Sequence, residues 1–254
     1  MAMSDRIAWL RQQSLAAKPC LSSERAELLT EFYRQETRIL SAPVRRALAF
    51  KYLLEHKAIW IGEKELIVGE KGPVPKAAPT YPELCCHSLS DLEVLDTRPK
   101  IPFSVAPAVR QVYQDIIIPF WKGKTIRELI FAEMKPEWKD AYEAGIFTEF
   151  MEQRAPGHTV LDDKIYCKGM RDFQQEVQES LAQLDFLRDT NAYQKQEELK
   201  AMAICAEALI RFAERHAEKA RSLAKEESDG QRRNELLTIA EICSHVPANR
   251  PRNF

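Results

Sequence analysis

The sequence predicts a mainly α protein with a few short strands. Three observations support this fold class: apolar residues recur at steps of three and four along most of the chain, only eight of the 254 residues are glycine, and six of the 14 prolines fall within one region. That region, residues 72–106, divides the chain into a helical part, a loop part and a second helical part.

The helices of the first part follow from apolar spacing and from residues suited to helix starts. Apolar residues at 7, 10 and 15 predict a short first helix. A second helix follows Ser22 and Ser23, whose hydroxyls can accept the free N–H groups of a first turn. A third is predicted from Pro43 to His56, because proline is tolerated in the first turn of a helix.

Strands and an extended segment are predicted between the two helical parts. The consecutive apolar residues at 59–61 and 66–68 predict two short strands. Residues 72–106 hold too many prolines for a helix interior or a central strand, because each proline lacks a backbone N–H. The same segment carries many large apolar side chains, so we expect an ordered, extended wrap instead of a free linker.

The second helical part begins with a helix over residues 109–118. Thr125 and Glu128 have capping-box spacing ahead of the next helix, and Pro136 suits the first turn of another. The remaining predicted elements are a loop around Pro156-Gly157, helices at 173–184 and 199–223, a turn at Asp229-Gly230, and a last helix that starts at Leu236 and ends before Pro247.

The composition argues against several functional classes. Thirty-seven Lys and Arg residues against 38 Asp and Glu residues give a net charge of −1, so no general attraction to nucleic acid or an anionic membrane is expected. No apolar run approaches the roughly 18 residues of a membrane-spanning helix, and the first residues lack the apolar core of a signal peptide. Six cysteines are too few for a disulfide scaffold in this length. We therefore expect a cytoplasmic protein with neither nucleic-acid nor membrane partners.

One short cysteine and histidine cluster does not predict a metal site. Cys85, Cys86 and His87 are consecutive, and two adjacent cysteines do not normally form half of a tetrahedral site. No second ligand pair follows at zinc spacing, and neither an iron–sulfur spacing nor a glycine-rich phosphate loop is present. These three residues are expected to be buried and structural.

The segment from Phe147 to Thr159 is the most informative for chemistry. A helix that carries aromatic residues runs into Pro156-Gly157, and the turn there can direct His158 into a cavity. A histidine so placed can donate to a hydroxyl or carboxylate, or pass a proton near neutral pH. The alternative is a histidine that only ties two loops together, and the spacing alone favours this alternative because a lone histidine is a weak signal.

Six motifs resemble, in order, the N-terminal part of glycyl radical enzymes of the pyruvate formate-lyase superfamily. They are Ser23-Glu24-Arg25-Ala26, Glu65-Leu66-Ile67-Val68-Gly69-Glu70, Ala78-Pro79-Thr80-Tyr81-Pro82-Glu83, Pro119-Phe120-Trp121-Lys122, Arg154-Ala155-Pro156-Gly157-His158-Thr159 and Cys243-Ser244-His245-Val246-Pro247-Ala248. The resemblance covers nearly the whole chain. Within the superfamily, residues 78–94 and 137–169 look most like the branch that dehydrates trans-4-hydroxy-L-proline.

The resemblance implies a fold and a reaction. Residues 1–254 would be the N-terminal portion of a ten-stranded α/β barrel of the pyruvate formate-lyase type. In the superfamily, an activating enzyme that uses S-adenosylmethionine places a radical on a glycine, and a cysteine thiyl radical then removes a hydrogen from the substrate. In the hydroxyproline branch water is lost, which leaves a pyrroline carboxylate. The positions of Phe150 and His158 match the substrate pocket: Phe150 would pack against the pyrrolidine ring and His158 would hydrogen-bond the polar substrate.

Two superfamily motifs are missing from the sequence. The radical glycine lies in an Arg-Val-x-Gly-Tyr type loop, and no glycine here is followed by Tyr or Phe. The thiyl cysteine lies in a Gly-Cys-x-Glu type loop, of which Cys205 with Glu207 is only an echo inside the longest predicted helix. We therefore expect a fragment without the barrel core, thiyl-cysteine loop or radical-glycine domain, with no bound cofactor and no metal, inactive alone and prone to associate.

The expected partners are a small-molecule substrate, the activating enzyme and the missing C-terminal part, with a homodimer at full length. Two other functions stay open. The chain could belong to another superfamily lyase, acting on a diol, glycerol, an amine or a keto acid. It could instead be a non-catalytic helical protein that binds a related enzyme or its activating enzyme.

Overall fold

The computed structural model describes residues 4–147 and 161–253. These residues are mainly helical, as predicted, and they contain two three-residue strands. In chain order the elements are α1 (Asp5–Ala16), β1 (Cys20–Ser22), α2 (Glu24–Gln35), α3 (Ala42–His56), β2 (Ala77–Pro79), α4 (Leu89–Thr97), α5 (Pro107–Val112), a π-helical turn (Tyr113–Ile117), α6 (Ile118–Trp121), α7 (Ile126–Glu133), α8 (Pro136–Glu143), α9 (Lys164–Cys167), α10 (Met170–Ala182), α11 (Ala192–Glu226) and α12 (Gly230–His245).

The chain divides into two compact units. The first, called the helical unit below, comprises residues 1–17, 31–75 and 161–254. The second, called the short-segment unit, comprises residues 18–30 and 76–160, and the chain passes from it to the helical unit within α2.

The core of the helical unit lies along α11. This helix packs against α3, α10 and α12. Ala217 and Ala220 of α11 are fully buried and form one cluster with Ile239 and Ala240 of α12. Small side chains let helix backbones approach closely, so an alanine-rich face suits a long helix with several neighbours. The predicted helices at 173–184 and 199–223 and the last helix are thereby confirmed.

The predicted turn at Asp229-Gly230 is wrong in detail. Gly230 is the first residue of α12, so this helix starts six residues before Leu236. The Asp229 carboxylate accepts a hydrogen bond from the Gln231 N–H at 2.9 Å. An N-cap acceptor of this kind stabilises a helix start even where glycine occupies the first position.

Arginine side chains bind backbone carbonyls of residues 54–65, beside the two stretches where strands were predicted wrongly. The buried Arg232 guanidinium of α12 donates to the Glu65 carbonyl at 2.8 Å and to the Gly62 carbonyl at 2.9 Å. Arg215 of α11 likewise donates to the carbonyls of Leu54 and Lys57. Side chains thus satisfy backbone carbonyls on either side of residues 59–61 and just before residues 66–68, and both of these stretches are irregular.

Gly169 lies where two backbones of the helical unit approach closely. The N–H groups of Met170 and Arg171, at the start of α10, donate to the carbonyls of Pro247 and Ala248 at 2.8 and 3.1 Å. A Cβ atom on Gly169 would lie 2.4 Å from the Asn249 Cα atom. Only glycine allows this contact without a shift of the backbone.

The short-segment unit contains both strands. β1 and β2 pair in parallel, with Cys20 opposite Ala77 and Ser22 opposite Pro79. Cys20 also forms a parallel bridge with Ser104. Pro79 belongs to β2, and each strand of a two-stranded sheet is an edge strand. An edge strand tolerates a residue without a backbone N–H group.

The predicted wrap at 72–106 is ordered, but it is not extended throughout. Helix α4 lies inside it, contrary to the prediction, and Leu92 of this helix is fully buried. Ser88 and Asp91 form a reciprocal capping box that satisfies two backbone N–H groups at the helix start. The prolines at 82, 99 and 102 lie on either side of α4, so they do not interrupt it.

Residues 107–121 form one continuous helical path that contains a π-helical turn. Pro119 lies near the start of α6, and a proline ring clashes with the carbonyl four residues earlier in an α-helix. The wider π-helical turn at Tyr113–Ile117 precedes it, and the Ile118 N–H bonds the Tyr113 carbonyl five residues back. The helix predicted at 109–118 is therefore confirmed and extends further.

No helix of the described residues is both long enough and apolar enough to span a lipid bilayer.

Candidate functional site

The two substrate residues named by the sequence, Phe150 and His158, lie outside the described residues, as does the Pro156-Gly157 loop. The structure describes the chain that leads to them, residues 123–147 of the short-segment unit. It also describes five of the six motifs that carry the family resemblance, all except Arg154 to Thr159. The description of the site therefore uses residues 123–147 and these five motifs.

The predicted capping box of Thr125 and Glu128 lies at the start of α7. The Thr125 hydroxyl accepts from the Glu128 N–H at 3.0 Å, and the Glu128 carboxylate accepts from the N–H groups of Thr125 and Gly123. Burial raises the pKa of Glu128, but these hydrogen bonds outweigh it and the net pKa is lowered. The carboxylate stays ionised near neutral pH, which makes it a helix cap and not a general acid.

A glycine turn ends α8 and redirects the chain. Gly145 has φ +71°, its N–H donates to the Tyr142 carbonyl at 2.9 Å, and the Ile146 N–H donates to the Ala141 carbonyl at 3.0 Å. This pair of bonds is a Schellman motif, which needs a residue that tolerates positive φ. The turn brings Phe147 back against α8.

Five side chains form an aromatic cluster at this turn. The Phe147 ring lies 5.5 Å from the Trp138 ring and 5.8 Å from the Tyr142 ring, between centroids. Tyr142 meets Phe131 edge-to-face at 4.8 Å. The Arg127 guanidinium donates to the Tyr142 hydroxyl at 3.0 Å and lies 4.9 Å from the Phe131 centroid. Sequence reasoning did not identify this cluster, although Trp138 and Tyr142 are four residues apart and so share one helix face.

Two motifs of the resemblance meet at Arg25. Its guanidinium donates to the Thr80 carbonyl at 3.0 Å, pairs with the Glu83 carboxylate through two nitrogens, and lies 4.0 Å from the Tyr81 ring centroid. A planar guanidinium suits a bidentate carboxylate and an aromatic face at once. Arg25 therefore joins α2 to the segment after β2 within the short-segment unit.

Two hydroxyls near this ion pair are buried without hydrogen-bond partners among the described residues. They belong to Tyr113, in the π-helical turn, and to Thr80. Burial raises the pKa of Tyr113 far above its usual range, and the nearby Thr80 hydroxyl opposes only part of that shift. Tyr113 is therefore protonated at any physiological pH and cannot serve as a base there.

The other motifs also make structural contacts. The Trp121 indole donates to the Thr30 hydroxyl at 2.9 Å, and that hydroxyl donates to the Ala26 carbonyl. The Glu65 carbonyl binds Arg232, and the Pro247 carbonyl binds the start of α10. Five of the six motifs thus join segments within a unit, and the sixth, Arg154 to Thr159, lies outside the described residues.

Cys85, Cys86 and His87 are half-buried. Burial, and then the neighbouring Cys85, raises the pKa of the Cys86 thiol to about 11. Burial also lowers the pKa of His87, although Asp91 opposes this shift. Near neutral pH a protonated thiol beside a neutral imidazole is not an activated nucleophile. Residues 4–147 and 161–253 contain no group of three or more His, Cys, Asp or Glu side chains that could hold a metal ion.

Cys205 lies within α11, as predicted, and burial raises the pKa of its thiol. It lines a groove of about 550 Å³ together with residues of α3, including Ala42 and Pro43. A mid-helix thiol that is kept protonated lacks the exposed loop position of a reactive cysteine.

An open cleft of about 660 Å³ in the helical unit is rich in arginine. Arg171, Arg250 and Arg252 line it with His245. The His245 ring is bonded to the Arg250 carbonyl at 3.0 Å, and Arg252 pairs with Glu241. The described partners of these groups are structural, because they are a backbone carbonyl and a surface carboxylate, and no acid and base pair is assigned here.

Comparison with known proteins agrees with the motifs. A pyruvate formate lyase-like family model matches residues 3–254. The chain is 49% identical over 98% of its length to trans-4-hydroxy-L-proline dehydratase of Clostridioides difficile, and 32% identical over its full length to isethionate sulfite-lyase of Nitratidesulfovibrio vulgaris. It spans about a third of the length of these curated relatives, 32% in each case.

Solved structures give the same result. The crystal structure of hydroxyproline dehydratase from Clostridioides difficile, with trans-4-hydroxy-L-proline bound, matches with a TM-score of 0.94 and 49% identity, over 99% of this chain and 32% of that one. The B12-independent glycerol dehydratase from Clostridium butyricum matches with a TM-score of 0.90 and 32% identity, over 100% of this chain and 32% of that one.

Proposed function

The chain belongs to the pyruvate formate lyase-like family, and on that premise we propose that it is the N-terminal part of a glycyl radical dehydratase that acts on trans-4-hydroxy-L-proline. One observation carries the substrate assignment. Identity is 49% over nearly the whole chain to the hydroxyproline enzyme, against 32% to the isethionate and glycerol enzymes.

The proposed reaction removes the 4-hydroxyl of the substrate as water and leaves a pyrroline carboxylate. In a glycyl radical enzyme, a radical installed by an S-adenosylmethionine-dependent activating enzyme supplies the hydrogen abstraction through a cysteine. Neither the Gly-Cys-x-Glu nor the Arg-Val-x-Gly-Tyr motif occurs in this chain. The proposal therefore assigns both to sequence outside it, and predicts no activity for residues 1–254 alone.

This chain would contribute part of the substrate pocket. Phe150 would pack against the pyrrolidine ring, because an aromatic face and a saturated ring exclude water from each other. His158 would donate a hydrogen bond to the polar substrate and assist departure of the hydroxyl as water, since an imidazole side chain can both donate and accept a proton. Both roles are supported by the family resemblance of the segment that carries them.

Exposed apolar side chains support the view that further protein covers this one. Ile39, Ile67 and Leu187 are at least 90% exposed. Another protein surface that removed these side chains from water would gain free energy by burying them. We propose that the covering surface is the remainder of the same enzyme, that the full-length protein is a cytoplasmic homodimer, and that residues 1–254 associate when expressed alone.

The test uses the native polypeptide that carries this sequence, expressed anaerobically with its activating enzyme. Electron paramagnetic resonance should report a glycyl radical, and trans-4-hydroxy-L-proline should be converted with release of one water per turnover. His158→Ala should keep the radical signal and lose most turnover, while Phe150→Leu should weaken substrate binding. Unchanged turnover in His158→Ala would remove that role from the proposal.

A second candidate is a lyase for another substrate. It is favoured by the 0.90 TM-score to the glycerol dehydratase, since the same fold accepts a diol-type substrate there. A panel of trans-4-hydroxy-L-proline, glycerol, propane-1,2-diol and isethionate separates the two candidates. Turnover of glycerol without turnover of hydroxyproline would favour the second one.

A further inference from the structure

We propose that helix α1 is a releasable strap of the helical unit, and that Glu235 is the latch that fastens it. In the closed state the first turn of α1 is tied to α12. In the open state α1 leaves, while the other helices of the unit keep their packing. Added salt or a substitution that weakens the ionic contact at Glu235 shifts α1 toward the open state. This inference does not depend on the substrate or on the radical reaction.

Helix α1 differs from the other long helices of the helical unit in its burial. No residue of Asp5–Ala16 is buried, whereas α3, α10, α11 and α12 each bury side chains. Ile7 and Leu15 of α1 are 54% and 75% exposed. A helix of this length is marginal in water by itself and takes most of its stability from a packed apolar face. Helix α1 is therefore attached less firmly than its neighbours.

Two described contacts that attach α1 involve charged side chains. The Arg6 guanidinium donates to the Glu235 carboxylate of α12, and these side chains are 28% and 17% exposed. The Lys64 ammonium lies 5.2 Å from the centroid of the half-buried Trp9 ring. Both contacts are electrostatic, and dissolved ions weaken the attraction between partly exposed charges. The attachment of α1 should therefore weaken as the ionic strength rises.

Glu235 holds one removable cation and one fixed cation. Its carboxylate also accepts from the Arg232 guanidinium at 3.1 Å, and Arg232 is fixed by its bonds to the Gly62 and Glu65 carbonyls. Hydrogen bonds from Arg6, the larger cause, and from Arg232 lower the pKa of Glu235, although burial opposes them. When Arg6 leaves, the carboxylate is still paired, so opening strands no buried charge.

An open cleft of about 480 Å³ lies beside the latch, and α1 forms part of its wall. Among its lining residues, Asp5 and Arg6 belong to α1, Lys64 to the irregular segment after α3, and Arg232 and Glu235 to α12. Release of α1 would remove its part of the wall and uncover the Arg232–Glu235 pair. Segments with few buried contacts can open in this way without global unfolding.

The experiment measures amide hydrogen exchange by mass spectrometry in the full-length native polypeptide that carries this sequence. Arg6→Ala removes the latch, and Arg6→Lys keeps its charge. Glu241→Gln is the matched control, because it removes another ion pair of α12, with Arg252 at 2.9 Å, that involves no residue of α1. A peptide from α11 reports global unfolding. Each sample is measured at about 0.05 M and about 0.5 M salt, between which the Debye length falls from about 14 to about 4 Å.

In the wild-type protein we expect the α1 amides to exchange before those of α11, and about threefold faster at the higher salt concentration. Arg6→Ala should raise α1 exchange about tenfold at low salt and remove most of its salt dependence. Arg6→Lys should stay within about threefold of wild type, and Glu241→Gln within about twofold. Exchange in α11 should be the same in all four proteins.

Limited trypsin digestion gives a second readout. Arg11 lies in the middle of α1, and a protease cuts a helix there only after the helix opens locally. Cleavage after Arg11 should be faster in Arg6→Ala than in wild type, and faster at the higher salt concentration in wild type. Glu241→Gln should be cut at the wild-type rate.

Three results would overturn the proposal. The first is protection of the wild-type α1 amides equal to that of α11, which would make α1 part of the packed core. The second is α1 exchange in Arg6→Ala within about twofold of wild type, or with the wild-type salt dependence, which would show that the contact does not fasten α1. The third is faster exchange in α11 as well, which would show that Arg6 supports the whole unit.

Discussion

The helical unit and the short-segment unit differ in the contacts that stabilise each of them internally. In the helical unit, α11 packs against three other helices, and alanine side chains at 217 and 220 lie fully buried in one of those interfaces. In the short-segment unit, where most elements are short, the Arg25 side chain joins α2 to the segment after β2 through the Thr80 carbonyl and the Glu83 carboxylate. The helical unit adds contacts of this kind to its helix packing, since Arg215 and Arg232 bind backbone carbonyls of residues 54–65.

This difference explains where sequence reasoning succeeds. A helix face repeats every three or four residues, so its contacts leave a pattern in the sequence. The ion pair between Arg25 and Glu83 links residues that are 58 positions apart, so it leaves no local pattern in the sequence. The two units should therefore respond differently to substitution, and the predictions below test that difference by urea unfolding at low protein concentration.

The largest effect is expected at Gly169 in the helical unit. In Gly169→Ala the new Cβ would meet the Asn249 backbone at 2.4 Å, so the backbone must shift, and we expect a loss of about 3 kcal/mol in unfolding free energy. Gly62→Ala is the control, because the atoms near its Cβ belong to the flexible Glu65 side chain. A loss below about 0.5 kcal/mol in Gly169→Ala would contradict the close approach.

The second largest loss of unfolding free energy is expected at the Arg25–Glu83 ion pair of the short-segment unit. Arg25→Lys keeps the charge but loses the bidentate pair with Glu83 and the planar contact with Tyr81, so we expect a loss of about 2 kcal/mol. Arg11→Lys, at an exposed position of α1, should change the unfolding free energy by less than about 0.5 kcal/mol. Equal effects in the two variants would show that the ion pair adds no stability.

A pH effect should follow from His216, which is buried in α11. Burial lowers its pKa, and the charges of Lys57 and Arg215 act in the same direction, although the Phe212 carbonyl opposes them. The unfolded chain therefore takes up a proton near pH 6.5 that the folded chain does not. Stability should fall as pH drops below about 6.5, by at most about 1.4 kcal/mol per pH unit for this one group.

The variant His216→Gln tests the source of that slope. It should flatten the pH dependence of unfolding between about pH 5 and 6.5. His87 in the short-segment unit also has a pKa lowered by burial, so His87→Gln should remove a separate part. A slope unchanged in both variants would place its origin in other groups.

The smallest effect is expected at Gly145. Among the described residues other than its chain neighbours, no heavy atom lies within 4 Å of an added Cβ there, and the expected penalty arises from φ +71°. Gly145→Ala should therefore destabilise by about 1 kcal/mol, and Gly145→Asn, which tolerates this φ better, by less. A loss as large as that of Gly169→Ala would indicate a steric contact in place of backbone strain.

The candidate site was predicted only in part. The resemblance pointed to Phe150 and His158, and these assignments remain predictions because both residues lie outside the described part of the chain. The aromatic cluster of Arg127, Phe131, Trp138, Tyr142 and Phe147 was missed. Its rings come from two helices and a turn, and only the positive φ of Gly145 brings Phe147 back to Trp138.

The sequence by itself determined the helical class, most helix positions, the Thr125 capping box and the family, because these depend on residues close in the chain or on ordered motifs. It did not determine that residues 59–61 and 66–68 are irregular, that β1 and β2 pair, or that α4 interrupts the predicted wrap. Those features depend on partners far along the chain, such as Arg232 for residues 62–65 and Cys20 for Ala77. Only the folded chain brings such donors and acceptors together, and a buried backbone group must find its partner wherever the fold supplies one.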